Sequence, residues 1–362
     1  MKIVTIVGAR PQFIKIAAVS RKLRQRHQEI LVHTGQHYDY EMSGAFFDGL
    51  ELPRPDVNLG VGSGSHAIQT GAMLTGIEDV LLTESADCLL IYGDTNSTLA
   101  GALAASKLSI PVVHVEAGLR SFNRGMPEEI NRVVADHLSD LLLCPSETAV
   151  SNLALEGITE NVHLVGDVML DALNWARQRS VGAEAAFLQR FGLKKKQYLV
   201  ATLHRSENTD DGARFQRILE TFNSLNEPVV FPVHPRAQKI INEINFRPKT
   251  DLHLIDPVGY LEMVALVGAA RLILTDSGGL QKEAYWLGIP CVTLRNETEW
   301  VETVEAGWNV LVGSEPERIA RTVKTFIPPD ARPLLYGDGT AADKCVDLIG
   351  LKSEPMALVG RA

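Results

Sequence analysis

Three carboxylates in the first half of the chain follow short apolar runs and lie close to arginines in the sequence. Asp94 stands in GDTN, Glu116 stands in HVEAGLR, and Glu128 stands in MPEEINR, four residues before Arg132. Residues four apart share one face of a helix, and a carboxylate in the first helical turn is stabilised as the anion by the helix dipole and a neighbouring arginine. Carboxylates gathered beside arginines would suit proton transfer on an anionic substrate.

Each of these acids also has a purely structural explanation. Glu128 and Arg132 alone would make an ordinary salt bridge at the start of a helix, and Asp94 and Glu116 could be turn carboxylates at strand ends. Small residues nevertheless flank the two turn acids, since Gly93 precedes Asp94 and the dipeptide AG follows Glu116. The space that these small residues leave for a ligand favours a functional role for both acids.

A glycine-containing turn in the second half predicts an anion site. The segment LILTDSGGLQKEA contains a strand-like run followed by Ser277, Gly278 and Gly279. Small residues with free backbone amides at a helix N-terminus bind phosphate groups. Glu283 lies further along the predicted helix and could accept hydrogen bonds from both hydroxyls of a ribose. A glycine-rich turn followed by a surface glutamate is the structural alternative.

Basic residues and histidines follow other predicted strands. Arg10 follows the first strand and Lys15 lies one to two turns along the next helix, so both could meet a diphosphate, although surface positions would also explain them. His204 in LHRSEN, and His234 and Arg236 in HPR, follow two strands of the second half. A histidine in a cleft is well suited to titrate or to contact phosphate near neutral pH, and a core or capping histidine is the alternative.

Alternating strands and helices must hold these residues in place. Short apolar runs alternate with longer helical segments, which is typical of βαβ units and of parallel sheets buried on both faces. The predicted strands are 2–7, 30–33, 88–92, 111–115, 141–144 and 162–165 in the first half, and 198–203, 229–233, 252–255, 272–275, 291–294 and 310–312 in the second.

The length of 362 residues suits two domains of about 150–200 residues each. We therefore predict an α/β protein with two Rossmann-like parallel-sheet domains, an N-terminal domain over 1–167 and a C-terminal domain over 168–362 that includes the last helix. Ligands of open parallel sheets bind beyond the carboxyl ends of the strands. Two sheets with facing carboxyl edges would form an active-site cleft between the domains.

The composition argues against several classes of protein. A net charge of −9 disfavours nonspecific nucleic-acid binding, and no apolar run reaches the roughly 18 residues that a membrane span needs. The four cysteines are far apart and form no CxxC motif, which indicates buried free thiols in a reducing cytosol. The sequence contains no HExxH motif and no spaced cluster of metal ligands, so no metal site is predicted.

Taken together, the longer motifs resemble those of one family. GARPQFIK from Gly8, GDTNSTLAGALAASK from Gly93, HVEAGLRSFNRGMPEEINR from His114, TLHRSENTDD from Thr202 and LILTDSGGLQKEA from Leu272 occur in the order found in the non-hydrolysing UDP-N-acetylglucosamine 2-epimerases. The likeness extends over nearly the whole chain. It implies the two-domain GT-B architecture.

The resemblance implies inversion at C2 of UDP-GlcNAc to give UDP-ManNAc without a cofactor. UDP is eliminated between C1 and C2 and adds back to a 2-acetamidoglucal, while a proton is delivered to the opposite face. The resemblance further implies a cytoplasmic homodimer that serves cell-surface polysaccharide synthesis and that binds a UDP-sugar, without nucleic acid and without membrane insertion.

Individual site roles are also implied by the resemblance. Asp94, Glu116 and Glu128 match the family's catalytic acids, and His204 matches its catalytic or phosphate-contacting histidine. The positions that match substrate or UDP contacts are Arg10, Lys15, Arg132, His234, Arg236, Val258, Met263, Ser277, Gly278, Gly279 and Glu283, with uracil near Val258 and Met263. Gln36 and His37 match part of a segment that binds a second, activating UDP-GlcNAc in bacterial members.

Departures from the family pattern leave the substrate open. Met263 replaces an aromatic residue of many bacterial members, and TEWVE replaces the common TERPE. GARPQ, GDVM and TEWVE also resemble epimerases of UDP-2,3-diacetamido-2,3-dideoxyglucuronate, whose C6 carboxylate could pair with Arg120, Arg124 or Arg205. The motifs also leave open a GT-B glycosyltransferase, a hydrolysing epimerase that releases free ManNAc, and a non-catalytic nucleotide-sugar sensor.

Overall fold

The computed structural model describes residues 1–36 and 49–351, apart from the side chains of Arg10 and Arg236. The chain divides into two compact units. The first comprises Met1–Asn174 together with the chain from Tyr336 onward, and the second comprises Trp175–Leu335. Each unit is built on its own parallel sheet, as the sequence predicts.

The first unit is a seven-stranded parallel sheet with helices between its strands. Its strands are β1 (Lys2–Val7), β2 (Gln28–His33), β3 (Val57–Asn58), β4 (Cys88–Tyr92), β5 (Val112–Val115), β6 (Leu141–Cys144) and β7 (Val162–Leu164). Its helices are α1 (Arg10–Leu23), α2 (His66–Glu84), α3 (Asn96–Lys107), α4 (Pro127–Leu138) and α5 (Glu147–Leu155), and α6 (Val168–Arg179) runs across the boundary to the second unit. The strand order is β3-β2-β1-β4-β5-β6-β7.

The second unit is a six-stranded parallel sheet of the same kind. Its strands are β8 (Leu199–Thr202), β9 (Val229–Pro232), β10 (Leu252–Ile255), β11 (Leu272–Thr275), β12 (Cys291–Thr293) and β13 (Asn309–Leu311), in the order β10-β9-β8-β11-β12-β13. Its helices are α7 (Val181–Arg190), α8 (Ser206–Thr209), α9 (Gly212–Ser224), α10 (Pro235–Glu243), α11 (Tyr260–Ala269), α12 (Gly278–Leu287), α13 (Val301–Glu305) and α14 (Pro316–Thr325).

Burial on both faces explains why these segments are strands. Every residue of β4, CLLIY, is buried, and so is every residue of β11, LILT. Near-continuous apolar runs of this kind suit the interior of a parallel sheet that helices cover on both sides. All twelve predicted strands overlap observed ones, and this part of the prediction is confirmed.

Each sheet changes the direction of its strand order at one point. The first sheet does so between β1 and β4, and the second between β8 and β11. Crevices at the carboxyl ends of strands next to such a point are where open parallel sheets bind their ligands. The residues that follow these four strands are therefore the first place to look for a site.

The last helix, α15 (Ala341–Leu351), packs in the first unit, which differs from the predicted C-terminal domain over 168–362. The apolar face of this helix is buried, and Asp343 and Asp347 pair with Lys22 and Arg26 around α1. The carboxylate of Asp171 accepts hydrogen bonds from the first amides of the helix, at Ala341 and Ala342. Charge pairing and apolar burial thus return the chain to its first unit.

Three smaller expectations concern membranes, metals and thiols. In residues 1–36 and 49–351, no helix has the length and apolar character needed to cross a membrane. The same residues contain no group of three or more His, Cys, Asp or Glu side chains arranged to hold a metal ion. The four cysteines are free and buried, as predicted, and burial raises the pKa of the Cys88, Cys144 and Cys291 thiols to about 12.

Candidate functional site

Glu116 and Lys15 form a buried ion pair at the carboxyl edge of the first sheet. Glu116 directly follows β5, and Nζ of Lys15 on α1 contacts its Oε2; the two side chains are 7% and 9% exposed. Glu116 has φ 70° and Gly93 has φ 62°, a backbone region that L side chains rarely adopt. A Cβ on Gly93 would lie 2.9 Å from the Lys15 ammonium and 3.1 Å from the Glu116 carboxylate. Glycine at position 93 thus leaves room for the pair.

Asp94 follows the neighbouring strand β4 and is held by a different cation. Its Oδ2 accepts hydrogen bonds from Nε and Nη2 of Arg132 on α4, at 3.0 and 2.7 Å. Asn131, one residue earlier on α4, donates to the backbone carbonyl of Asp94 at 2.9 Å. Strands β4 and β5 pair in parallel up to Tyr92 and Val115, so Asp94, two residues beyond β4, and Glu116, one residue beyond β5, emerge at the same edge. The structure therefore brings Asp94, Glu116, Lys15 and Arg132 to one edge.

The third predicted acid, Glu128, lies exposed in the first turn of α4. Arg132 instead pairs with Glu129, whose Oε2 is 2.6 Å from Nη1 of the arginine. Burial alone would raise the pKa of Glu129, but hydrogen bonds from Ser121 and Phe122 and the charge of Arg132 outweigh burial and lower it. The buried partner of Arg132 is thus Glu129 and not the predicted acid Glu128.

The turn after β1 is fixed by amide side chains. The Oε1 of Gln12 accepts hydrogen bonds from the amides of Gly8 and Ala9, and its Nε2 donates to the carbonyl of Tyr92 at 2.9 Å. Gln36 accepts from the amide and hydroxyl of Ser97 at 3.1 and 2.8 Å, at the start of α3. Arg10 is the first residue of α1 and its side chain lies outside the described part, as does His37 altogether.

Two buried residues that the predicted site omits lie beneath the acids. His114 on β5 places Nδ1 2.7 Å from Oδ1 of Asp136 and Nε2 2.8 Å from the carbonyl oxygen of Gly93. The other oxygen of Asp136 accepts from Nη1 of Arg120 and from the amide of Gly118, at 2.7 and 3.1 Å. Burial would raise the pKa of Asp136, yet His114 and Arg120 outweigh it and lower the pKa. A histidine inside the apolar strand VVHV is the sequence signal for this pair.

In the second unit, a buried aspartate organises the segment that carries His204. Asp276 follows β11, and its carboxylate accepts hydrogen bonds from the amides of His204 and Arg205 and from Nδ2 of Asn208, all between 3.1 and 3.2 Å. The Nδ1 of His204 lies 3.2 Å from Oδ1 of Asp276, and the side chain is 43% exposed. The ring of His234, beyond β9, lies 6.4 Å from that of His204. The predicted site omits Asp276, although it directly follows the buried strand β11.

The predicted anion site lies at the N-terminus of α12. Ser277 caps this helix, since its hydroxyl accepts a hydrogen bond from the amide of Leu280 at 3.4 Å. Within the described chain, no hydrogen bond occupies the amides of Gly278 and Gly279. A Cβ on Gly278 would approach Oε1 of Glu299 to 2.8 Å. The helix therefore presents free amides at a point where glycine leaves the Glu299 carboxylate in place, and free amides at a helix N-terminus are the arrangement that binds phosphate.

The remaining predicted contacts also lie in the second unit. Glu283 is buried on α12 and accepts a hydrogen bond from the hydroxyl of Tyr260 at 3.0 Å. Val258 and Met263 lie before and on α11, and both are partly buried against the core beneath β8 and β11. Arg236 belongs to the first turn of α10, directly after His234-Pro235, and its side chain lies outside the described part.

Known proteins similar to this chain share one family description. The family model described as UDP-N-acetylglucosamine 2-epimerase matches residues 21–350. A UDP-N-acetylglucosamine 2-epimerase homolog of Methanococcus maripaludis is 53% identical, over 96% of this chain and 99% of that protein. The UDP-2,3-diacetamido-2,3-dideoxy-D-glucuronate 2-epimerase of Pseudomonas aeruginosa is 48% identical, over 96% and 99%.

Solved structures show the same architecture. The crystal structure of Methanocaldococcus jannaschii UDP-GlcNAc 2-epimerase in complex with UDP-GlcNAc and UDP is 41% identical to this chain, covers 97% of it and 100% of its own chain, and has a TM-score of 0.89. The Neisseria meningitidis UDP-GlcNAc 2-epimerase bound to UDP-GlcNAc is 31% identical, covers 97% and 100%, and has a TM-score of 0.86. Two parallel-sheet α/β domains of this kind constitute the GT-B fold.

Proposed function

The chain belongs to the UDP-N-acetylglucosamine 2-epimerase family, whose members are isomerases, and we propose that it interconverts UDP-GlcNAc and UDP-ManNAc. The reaction removes the C2 proton, and the electrons of the C2–H bond form the C1–C2 double bond while the C1–O bond breaks and UDP leaves. UDP then adds back to C1 of the 2-acetamidoglucal as a proton is delivered to the other face of C2. No oxidant or reductant is consumed.

The pairing of two carboxylates with two separate cations carries this proposal. Asp94 and Glu116 follow neighbouring strands, yet Arg132 holds the first and Lys15 holds the second. Inversion needs one group that takes a proton from one face of C2 and another that returns a proton to the opposite face. Two independently oriented acids meet this requirement. Glu128, exposed in the first turn of α4, supplies a third acid in our proposal.

The second unit provides the groups that UDP requires. In our proposal the free amides of Gly278 and Gly279, with Ser277, bind the diphosphate, where they stabilise the charge that develops as UDP leaves. In our proposal His204 and His234 contact the diphosphate or the reacting sugar, and Arg236 adds positive charge. Arg10, Lys15 and Arg132, which belong to the first unit, are proposed as further substrate contacts. Glu283, which Tyr260 already orients, binds the ribose hydroxyls, and Val258 and Met263 contact uracil.

Incubation of the protein with UDP-GlcNAc in D2O tests the reaction. We expect deuterium at C2 together with UDP-ManNAc, both observed by NMR. Glu116→Gln should lower the rate of exchange by about 10²–10⁴-fold, which is the contribution of positioned proton transfer. Sugar transfer to an acceptor without any exchange would refute the epimerase and favour a glycosyltransferase, and release of free ManNAc faster than UDP-ManNAc would favour a hydrolysing enzyme.

One observation favours a second substrate, UDP-2,3-diacetamido-2,3-dideoxyglucuronate. The relative that carries this activity in its name is 48% identical, whereas a UDP-N-acetylglucosamine 2-epimerase of Methanococcus maripaludis is 43% identical. Of the three arginines that could pair with the C6 carboxylate, Arg120 is buried and bound to Asp136 and Glu156. Arg205 is partly exposed and lies 3.5 Å from Glu299, and Arg124 is exposed. These two remain available for such a substrate.

A direct comparison of the two sugars decides between them. We expect a higher kcat/KM for UDP-GlcNAc, and a higher value for the uronate would reverse the order of the two proposals. In that case Arg205→Lys should raise the KM for the uronate more than the KM for UDP-GlcNAc. A cytoplasmic homodimer remains part of the proposal, and light scattering on the eluting protein tests its mass.

A further inference from the structure

We propose that Asp136 is a positioning residue that fixes the backbone at Asp94 through His114 and the backbone at Glu116 directly, through the amide of Gly118. This inference rests on the function proposed above, because it takes these two acids as the groups that transfer protons. His114 is fully buried in the centre of β5, and Asp136 is fully buried on α4. Neither residue belongs to the set predicted to contact the substrate.

The hydrogen bond from His114 to Gly93 fixes the backbone before Asp94. The carbonyl oxygen of Gly93 can only accept a hydrogen bond, so Nε2 of His114, 2.8 Å away, must carry a proton and donate it. Gly93 immediately precedes Asp94 and has φ 62°, a conformation open to glycine. Because glycine has many other conformations available, the hydrogen bond to its carbonyl fixes the direction of the peptide that leads into the aspartate. The bond between Nδ1 of His114 and Asp136, at 2.7 Å, fixes the ring that donates this hydrogen bond.

A hydrogen bond from Gly118 to Asp136 fixes the backbone after Glu116. The amide of Gly118, two residues beyond the glutamate, donates to Oδ2 of Asp136 at 3.1 Å. Gly118 has φ 80°, and a Cβ at this position would collide with the carbonyl oxygen of Ala149. The turn that contains Glu116 therefore also has positive φ angles, and its hydrogen bond to Asp136 stabilises that conformation. One carboxylate, through its two oxygens, fixes the peptides on both sides of the acid pair.

The position of Asp136 on its helix links the backbone to the side chains. Arg132 lies four residues earlier on α4 and therefore on the same face of the helix, where it binds the carboxylate of Asp94. The helix thus orients Asp94 twice, directly through Arg132 and indirectly through His114. A buried charge cluster contributes little stability compared with apolar packing of the same volume, so stability alone does not account for the arrangement.

Two replacements of His114 separate a positioning role from a structural one. The amide nitrogen of glutamine takes the place of Nε2, and that of asparagine takes the place of Nδ1. His114→Gln therefore keeps a donor to Gly93, whereas His114→Asn keeps only the donor to Asp136. We expect kcat on UDP-GlcNAc to be about tenfold or more lower in the asparagine variant than in the glutamine variant, since small misplacements of reacting groups have large effects on rate.

Binding measurements complete this test. The dissociation constant of UDP and the melting temperature should be the same in the two variants, because the network lies in the first unit and our proposal places the UDP contacts of α12 in the second. Equal kcat values for the two variants, or a higher value for asparagine, would overturn the inference. A fully inactive wild-type protein would instead refute the proposed function, so the two failures are distinguishable.

A second pair of variants decides the question if the histidine variants do not fold. Asp136→Asn keeps the size of the side chain but replaces one acceptor with a donor, and we expect kcat to fall about 10²-fold. Glu156→Gln is the matched control, because Glu156 binds Arg120 in the same network without touching Gly93 or Gly118. Its kcat should remain close to that of the wild type. Equal losses of kcat in the two variants would show a structural role only and overturn the inference.

Discussion

Replacement of Arg132 by alanine should separate stability from catalysis at the acid edge of the first sheet. Arg132 donates two hydrogen bonds to Asp94 and one to Glu129, and its side chain is nearly buried. The two carboxylates would respond differently to its loss. Glu129 is buried and would lose its cation, whereas Asp94 is partly exposed and would gain rotational freedom.

The structure sets the size of both effects. Breaking a buried ion pair by removing one partner costs about 3–5 kcal/mol, and we expect the lower end, about 3 kcal/mol, because Ser121 and Phe122 still donate to Glu129. Turnover should fall by about 10²-fold, since the loss of the two bonds that aim Asp94 displaces the reacting group by a distance comparable to 1 Å.

A double variant tells the two effects apart. Arg132→Ala combined with Glu129→Gln removes the unpaired charge, so it should recover much of the free energy of unfolding in urea while the turnover of UDP-GlcNAc stays low. Arg271→Ala serves as the control, because Arg271 makes a two-point pair with Glu227 in the second unit, whereas both acids belong to the first. If turnover returned together with stability in the double variant, Arg132 would have no role in orienting Asp94.

Other predictions concern the acids, the anion site and acid stability. Asp94→Asn and Glu116→Gln should each lower kcat by about 10²–10⁴-fold, and a near-normal rate would remove that residue from the mechanism. Gly278→Ala should weaken UDP binding by about tenfold in calorimetry, because the added methyl group displaces the Glu299 carboxylate at the helix N-terminus where we propose the diphosphate binds, while Gly212→Ala, whose Cβ meets open space, should bind UDP normally. Burial would raise the pKa of Asp276, but hydrogen bonds and the His204 side chain outweigh it and lower the pKa. Its contribution to stability is therefore present at neutral pH and is lost as the pH falls below about 4. Asp276→Asn should flatten the acid limb of the urea-unfolding profile, and an unaltered limb would contradict the assignment.

The parallel strands could be predicted from the sequence because burial on both faces makes each one a nearly continuous apolar run. Strand β3, Val57–Asn58, has no such run and was not predicted. It exists through its pairing with β2, where Val32 faces Val57. A two-residue edge strand depends on its neighbour rather than on its own residues, so its signal is absent from local sequence.

The acid pair was also predictable, since residues that directly follow neighbouring parallel strands must emerge at one edge. The buried residues that orient this pair could not be predicted from the sequence. Asp136 lies within α4 with no spacing that distinguishes it, and its role depends on His114 from another element. The partner of Arg132 was equally hidden, because spacing pairs Arg132 with Glu128, whereas packing against Ser121 and Phe122 buries Glu129 instead. Which face of α4 is buried depends on the segment that it packs against, and the local spacing of residues does not reveal that segment.

Both units place a buried aspartate beside a histidine, and the difference between the two pairs explains what each can do. His114 is fully buried, and both of its ring nitrogens are bonded, to Asp136 and to the carbonyl of Gly93. A ring held at both ends cannot exchange a proton with a ligand, so it can only orient its neighbours. His204 is held by Asp276 at Nδ1 but its side chain remains 43% exposed, so a ligand can contact its ring. In our proposal the same pairing therefore serves as a fixed support in the first unit and as a group that contacts the substrate in the second, and burial of the imidazole distinguishes the two roles.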